Sequence, residues 1–162
     1  MTPRRILVPL DGSPLAESAL ADAVDIAVRH GATLVLLRAA YATALPAVDP
    51  VDAQVSVVRE AEAYLADIAA RARAAGVKDV ETSVWYAAAT DAIVEAARMR
   101  DVDLIVMSTH GRTGLTRLML GSVAESVLRS TNTPILMLRA HGAATAAPAA
   151  AAPPPEHEVA HV

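Results

Sequence analysis

The sequence predicts an α/β fold: a single doubly wound parallel sheet of five strands in the order 3-2-1-4-5, with helices on both faces. Three observations point there. Short apolar runs alternate along the chain with longer segments of helical spacing. The first of these runs, residues 6–10, is continuously apolar, as a strand buried on both faces is. Two stretches with turn and anion-binding chemistry follow the first and fourth runs, and open α/β sheets bind ligands where the strand order reverses. If those stretches share one site, strands one and four are neighbours, which selects 3-2-1-4-5 over 2-1-3-4-5.

The first strand is residues 6–10, ILVPL. Ser13 then caps a helix, and Pro14 supplies the fixed φ that suits a first helical turn. This helix runs to about residue 29, with Leu15, Ala19, Val24 and Ala27 as inward candidates, and Gly31 stops it. Residues 33–39 form the second strand, and Pro46 and Pro50 mark residues 41–52 as a loop. A long helix over about 53–75 carries Val57, Ala61, Leu65, Ile68 and Ala72 close to helical spacing and ends at Gly76. Residues 80–86 are less apolar and suit an edge strand. A short helix over about 89–98 leads to the fourth strand, residues 102–107. In the fourth helix, residues 122–130, Ser122 and Glu125 read as a capping box that sets the start. The fifth strand is 134–138, where the proline favours an edge or a strand start.

Residues 1–140 are thus expected to form one domain. Residues 141–162 change character: HGAATAAPAAAAPPP offers too little distinct apolar surface to order itself, and a disordered Ala/Pro-rich tail is expected.

Composition excludes several classes. The net charge of −4 argues against a sequence-independent nucleic-acid or anionic-membrane binder. One Trp, three Tyr and no Phe leave no stacking platform for single strands. The absence of Cys rules out disulfides, thiolate nucleophiles and Cys-ligated metals, and suits a cytoplasmic location. No run reaches the roughly 18–20 apolar residues of a membrane span, and no signal-peptide core is visible.

The chemistry concentrates in residues 108–122, STHGRTGLTRLMLGS, between an apolar run and a helix start. Backbone N–H groups in such a loop and at a helix N-terminus can face one anion, which the helix dipole also favours. Gly111, Gly114 and Gly121 permit close ligand approach. Asp11 has two readings, as a cap for the Pro14 helix or as a ligand contact. Arg112 is the better phosphate partner of Arg112 and Arg117. Thr109 and Thr113 read as satisfying local backbone. His110 has no companion nucleophile or carboxylate and reads as loop structure. The stretch is not a Walker loop, because no G-x4-G-K-S/T occurs. His157-Glu158-Val159-Ala160-His161 matches H-E-x-x-H, yet it follows three prolines with no scaffold around it, and catalytic zinc is not expected.

Two segments resemble the universal stress protein family: ILVPLDGSPLAESAL at the first strand and helix, and DLIVMSTHGRTGLTRLMLGSVAESVLRSTNTPILMLR at the other end. The family's nucleotide-binding pattern G-x2-G-x9-G-S/T aligns with Gly111, Gly121 and Ser122, and Ser108 takes the place of its first glycine. The resemblance implies ATP or AMP lying across the switch point, with or without Mg²⁺. It implies that Pro9, Leu10 and Ala39 line the adenine pocket with Met107 beside it. Asp11 would meet the ribose or a metal-bridged phosphate, and Gly111, Arg112, Gly121, Ser122 and Val123 would hold the phosphates. Where members often carry G-x-P after strand three, this chain has Ala87-Ala88-Ala89.

The expected function is that of a nucleotide-binding regulatory protein of the stress response, not an enzyme, with at most slow ATP hydrolysis. The alternative is a dimeric interaction scaffold of the same fold without tight nucleotide binding. A homodimer is expected through the apolar 134–138 edge, which the resemblance pairs antiparallel across a two-fold axis; the bland reading is an edge covered by the tail.

Overall fold

The computed structural model describes residues 2–41, 50–109 and 120–139. In chain order the elements are β1 (Arg5–Pro9), α1 (Pro14–His30), β2 (Thr33–Ala39), α2 (Pro50–Ala74), β3 (Val80–Trp85), α3 (Ala89–Met99), β4 (Leu104–Ser108), α4 (Ser122–Ser130) and β5 (Ile135–Leu138). The strands form one five-stranded sheet in the order β3-β2-β1-β4-β5. Every pairing is parallel, and Leu7 stands opposite both Val35 and Ile105.

The order dictates where the helices go. Parallel crossovers are right-handed. The steps β1 to β2 to β3 walk one way along the sheet, so α1 and α2 share a face. The step from β3 to β4 reverses, which places α3 and α4 on the other face. Side chains alternate across a strand, so each apolar run feeds both layers. Ile6, Val8, Leu34, Leu36 and Val106 pack against Ala19, Ala23, Leu65 and Ile68. Leu7, Val35, Leu37 and Ile105 pack against Ile93, Ala96 and Val127. Each fully buried Leu or Ile contributes about 1.5–3 kcal/mol relative to exposure.

The element ends follow local chemistry. Ser13 Oγ accepts the Ala16 amide at 3.1 Å, as an N-cap does, and Pro14 follows it. Gly31 closes α1 in the left-handed region at φ 64°. Several sequence expectations shift. The first strand begins at Arg5, one residue early, while the Leu10 amide still donates to the Leu37 carbonyl at 2.8 Å. The second helix starts at Pro50 rather than near 53, because proline suits its first turn. β4 starts at Leu104 rather than 102, after Asp101 takes a positive φ of 48°. Leu15 is only half-buried; Ala16 and Leu20 take the inward places. Residues 140–162, with the Ala/Pro segment and the H-E-x-x-H match, lie outside the described residues. Among the described residues, no helix is long and apolar enough to cross a membrane.

The N-terminal rim of the sheet is closed by the chain's own charges. The Asp103 carboxylate accepts the Arg4 and Arg5 amides at 2.8 and 2.9 Å, tying the start of β1 to the approach of β4. The Arg4 amide chiefly, with the Arg5 amide, holds its pKa below the usual carboxylate value, against a smaller opposing effect of burial. Glu81 on β3 accepts from Arg5 and Arg100, each at 2.8 Å.

Candidate functional site

At the opposite, C-terminal rim, β1 and β4 lie side by side, but their connections leave on opposite faces of the sheet. That divergence opens a crevice. A cavity of about 290 Å³ occupies it.

One part of its wall is apolar. Pro9 and Leu10 follow from β1, Leu37 and Ala39 from β2, Met107 from β4 and Ile93 from α3. The small side chains of Ala39 and Ala89 leave the space that larger residues would fill. Leu37, Ile93 and Met107 also belong to the core beneath, so the pocket floor is an extension of the packed interior.

The other part of the wall is polar, from Asp11, Ser108, Thr109, Gly121 and Ser122. Asp11 lines it, and its Oδ1 accepts the Ser13 amide at 2.9 Å. Ser13, not Asp11, is the cap of α1, which corrects the cap reading of Asp11: its carboxylate braces the turn before the helix and lines the cavity. The turn needs Gly12, whose φ of 81° is left-handed. Beside this turn lies the Arg38 guanidinium, which is paired with Glu60 at 3.1 Å and stands 4.9 Å from the centre of the Tyr64 ring.

The legs of the 108–122 stretch are pinned at their base. The Thr109 amide donates to Leu138 at 2.9 Å, and the Gly121 amide donates to the Thr109 carbonyl at 2.7 Å. Gly121, at φ −61° and ψ 148°, is the N-cap of α4, and Ser122 is its first helical residue. This corrects the capping-box expectation. Gly121 takes the cap position without a side-chain bond, and Glu125 instead pairs with Arg129 at 2.8 Å. The first intrahelical bond runs from the Glu125 amide to the Gly121 carbonyl at 2.9 Å. The amides of Ser122, Val123 and Ala124 precede it, so helix geometry gives them no intrahelical acceptor. All three residues line the cavity. Gly121 reaches the cavity too, but its own amide is taken up by Thr109. The amides without an intrahelical acceptor at this end are those of the next three residues.

Of the residues singled out from sequence, Pro9, Leu10, Asp11, Ala39, Met107, Ser108, Gly121, Ser122 and Val123 all line this one cavity. Gly111 and Arg112, with Gly114, lie outside the described residues. Ser108 is buried at the end of β4, in the cavity wall. Sequence reasoning did not assign Ala16, Leu37, Ala89, Ile93 or Ala124 to the site, and it read Thr109 as a local backbone partner. Leu37 and Ile93 were legible only as core. Nothing local marks an alanine as a wall. Among the described lining residues Asp11 is the only ionisable side chain. Among the described residues no group of three or more His, Cys, Asp or Glu is arranged to hold a metal. The arrangement can bind a ligand with an apolar planar part and an anionic end.

The universal stress protein family model matches residues 2–139. A universal stress protein of Methanocaldococcus jannaschii is 31% identical over 140 residues, covering 84% of this chain and 82% of that protein. One from Mycobacterium tuberculosis is 34% identical over 141 residues, but the chain spans only 45% of its length. Among solved structures, universal stress protein UspA from Lactobacillus plantarum aligns with a TM-score of 0.73 at 27% identity, covering 83% of this chain and 97% of that one. A universal stress protein solved in complex with cAMP aligns with a TM-score of 0.69 at 27% identity, covering 86% and 99%.

Proposed function

Because the chain belongs to the universal stress protein family, we propose that it is an adenine-nucleotide-binding regulatory protein of the stress response. The observation that carries this reading is the cavity itself, with an apolar wall at one end and the free amides of a helix N-terminus at the other. The adenine of ATP or AMP fits between Ala39, Ile93 and Met107. The phosphates fit the Ser122, Val123 and Ala124 amides, where the α4 dipole adds to each hydrogen bond. Gly111 and Arg112 complete the phosphate side in this reading. Asp11 meets the ribose, or Mg²⁺ carried in by the nucleotide; the metal would then neutralise phosphate charge. The cAMP complex of a structural relative supports the purine class.

Binding rather than turnover is the proposed output. Asp11 already accepts the Ser13 amide, and hydrolysis needs a positioned base. The ligand acts by favouring the conformation or the assembly it binds more tightly. The proposed assembly is a homodimer through β5, whose four residues are all half-buried at the sheet edge.

Ser108 favours a second reading, a dimeric scaffold of the same fold. Its Cβ and hydroxyl stand in the cavity wall where the family pattern has a glycine. Mass spectrometry of what natively purified protein releases on denaturation separates the two. Released ATP or AMP, and calorimetric binding weakened by Asp11→Ala, support the first. No release, and no calorimetric binding at millimolar nucleotide, overturns it in favour of the scaffold.

A further inference from the structure

Only four aromatic residues occur in the chain. Tyr64 and Trp85 are half-buried and hydrogen-bonded, to Glu17 and Ser83. The other two are exposed and together. Tyr41 and Tyr86 stack with ring centres 5.3 Å apart and planes 11° from parallel, while exposing 64% and 62% of their surfaces. Tyr41 follows β2 and Tyr86 follows β3, and just beneath them the Ala40 amide donates to the Trp85 carbonyl at 2.8 Å. The pair is therefore mounted on two hydrogen-bonded strand ends. A single exposed aromatic is ordinary, but two stacked rings on a fixed base form a platform.

We propose that this platform is the docking surface for the chain's own proline-rich segment, residues 148–155. The topology brings the two to the same rim. All strands are parallel, so the chain leaves β5 at the C-terminal rim, where Tyr41 and Tyr86 stand. From β5 to β3 is four strand spacings, about 19 Å. Pro153 lies 14 residues beyond Arg139, a reach of about 43 Å in the polyproline conformation. The tether is long enough with slack.

The chemistry selects the platform over the β5 edge. Pro148 and the Pro153-Pro154-Pro155 run have no amide proton, so they cannot extend a sheet ladder; only the four alanines between them keep that capacity. Pyrrolidine rings do pack on aromatic faces, and the solvated carbonyls of a polyproline helix accept from tyrosine hydroxyls.

The absence of Cys makes the test direct. Ala151→Cys in the full chain gives a unique position for a nitroxide label, read by amide NMR without added nucleotide. The docking is thereby tested independently of the proposed nucleotide binding. The expected result is loss of the Tyr41 and Tyr86 amide signals. Both signals return in the labelled protein that also carries Pro153→Ala, Pro154→Ala and Pro155→Ala, and the Tyr41 signal returns in the labelled protein that also carries Tyr86→Ala. Signal loss at 135–138 instead, no selective loss, or loss that survives the proline replacements overturns the proposal. So does loss that fades on dilution, which would place the segment on a second copy.

Discussion

The two rims of the sheet are built from the same strands and solve opposite problems. At the N-terminal rim a carboxylate, Asp103, satisfies the Arg4 and Arg5 amides, and Glu81 draws in two arginines. At the C-terminal rim the comparable donors, the first amides of α4, face a cavity with no helical acceptor. The first rim pairs its main-chain donors and carboxylates from within, with the buried Arg5 Nε the one described side-chain atom left over, whereas the second leaves a row of amides facing a cavity. Fold stability and ligand affinity are thus separable by rim, and each can be altered without the other.

The largest effect that sharpens this division is expected from Ala39→Phe. A ring there fills the apolar end of the cavity, so adenine nucleotide affinity by calorimetry falls about 100-fold or more, a loss of about 2.7 kcal/mol. Thermal stability changes by about 1 kcal/mol, because the site is a half-buried wall and not packed core. Ser122→Pro is the finer cut. Proline is accepted at the first helical position, and Gly121 already holds the extended conformation that must precede it. The change deletes the residue 122 amide together with the serine hydroxyl, so with Ser122→Ala as the control for the hydroxyl, affinity is expected to drop about 10-fold further at unchanged melting temperature. A melting temperature that falls in step with affinity would break the division.

The other rim gives the converse. Asp103→Ala is expected to lower stability by about 1 kcal/mol in denaturant titration, with nucleotide affinity of the folded protein unchanged. The smallest effect is on the acid limb of stability. The folded Asp103 has a pKa below its unfolded value near 3.9, so its contribution is complete above that value and vanishes as pH falls through the folded one. Asp103→Asn should flatten that limb selectively; unchanged curvature in denaturation midpoints below about pH 4 would remove Asp103 from the account.

The layers were legible because the strands other than β3 are largely apolar runs, and Ser13 with Pro14 and Gly31 punctuates α1 unambiguously. Strand order followed from two loops alone. The cavity lining was legible at loop residues such as Asp11 and Gly121, and through the family resemblance at Ala39 and Met107, but not at Thr109, which reads as a local backbone partner. It was illegible at Ile93 and Ala89, since packing across a crossover leaves no local mark. The Asp103 clamp was illegible for a related reason: donor and acceptor stand 98 residues apart. Ser122 and Glu125 misled because glycine competes well for an N-cap place.

The Gly121–Thr109 bond has a consequence for engineering. It joins the two stems of residues 110–120 before the chain reaches α4, so the frame does not depend on the segment's length. Closing a loop twice as long costs about 0.6 kcal/mol more. Foreign sequences grafted between these stems should therefore leave β4, β5 and α4 in their places.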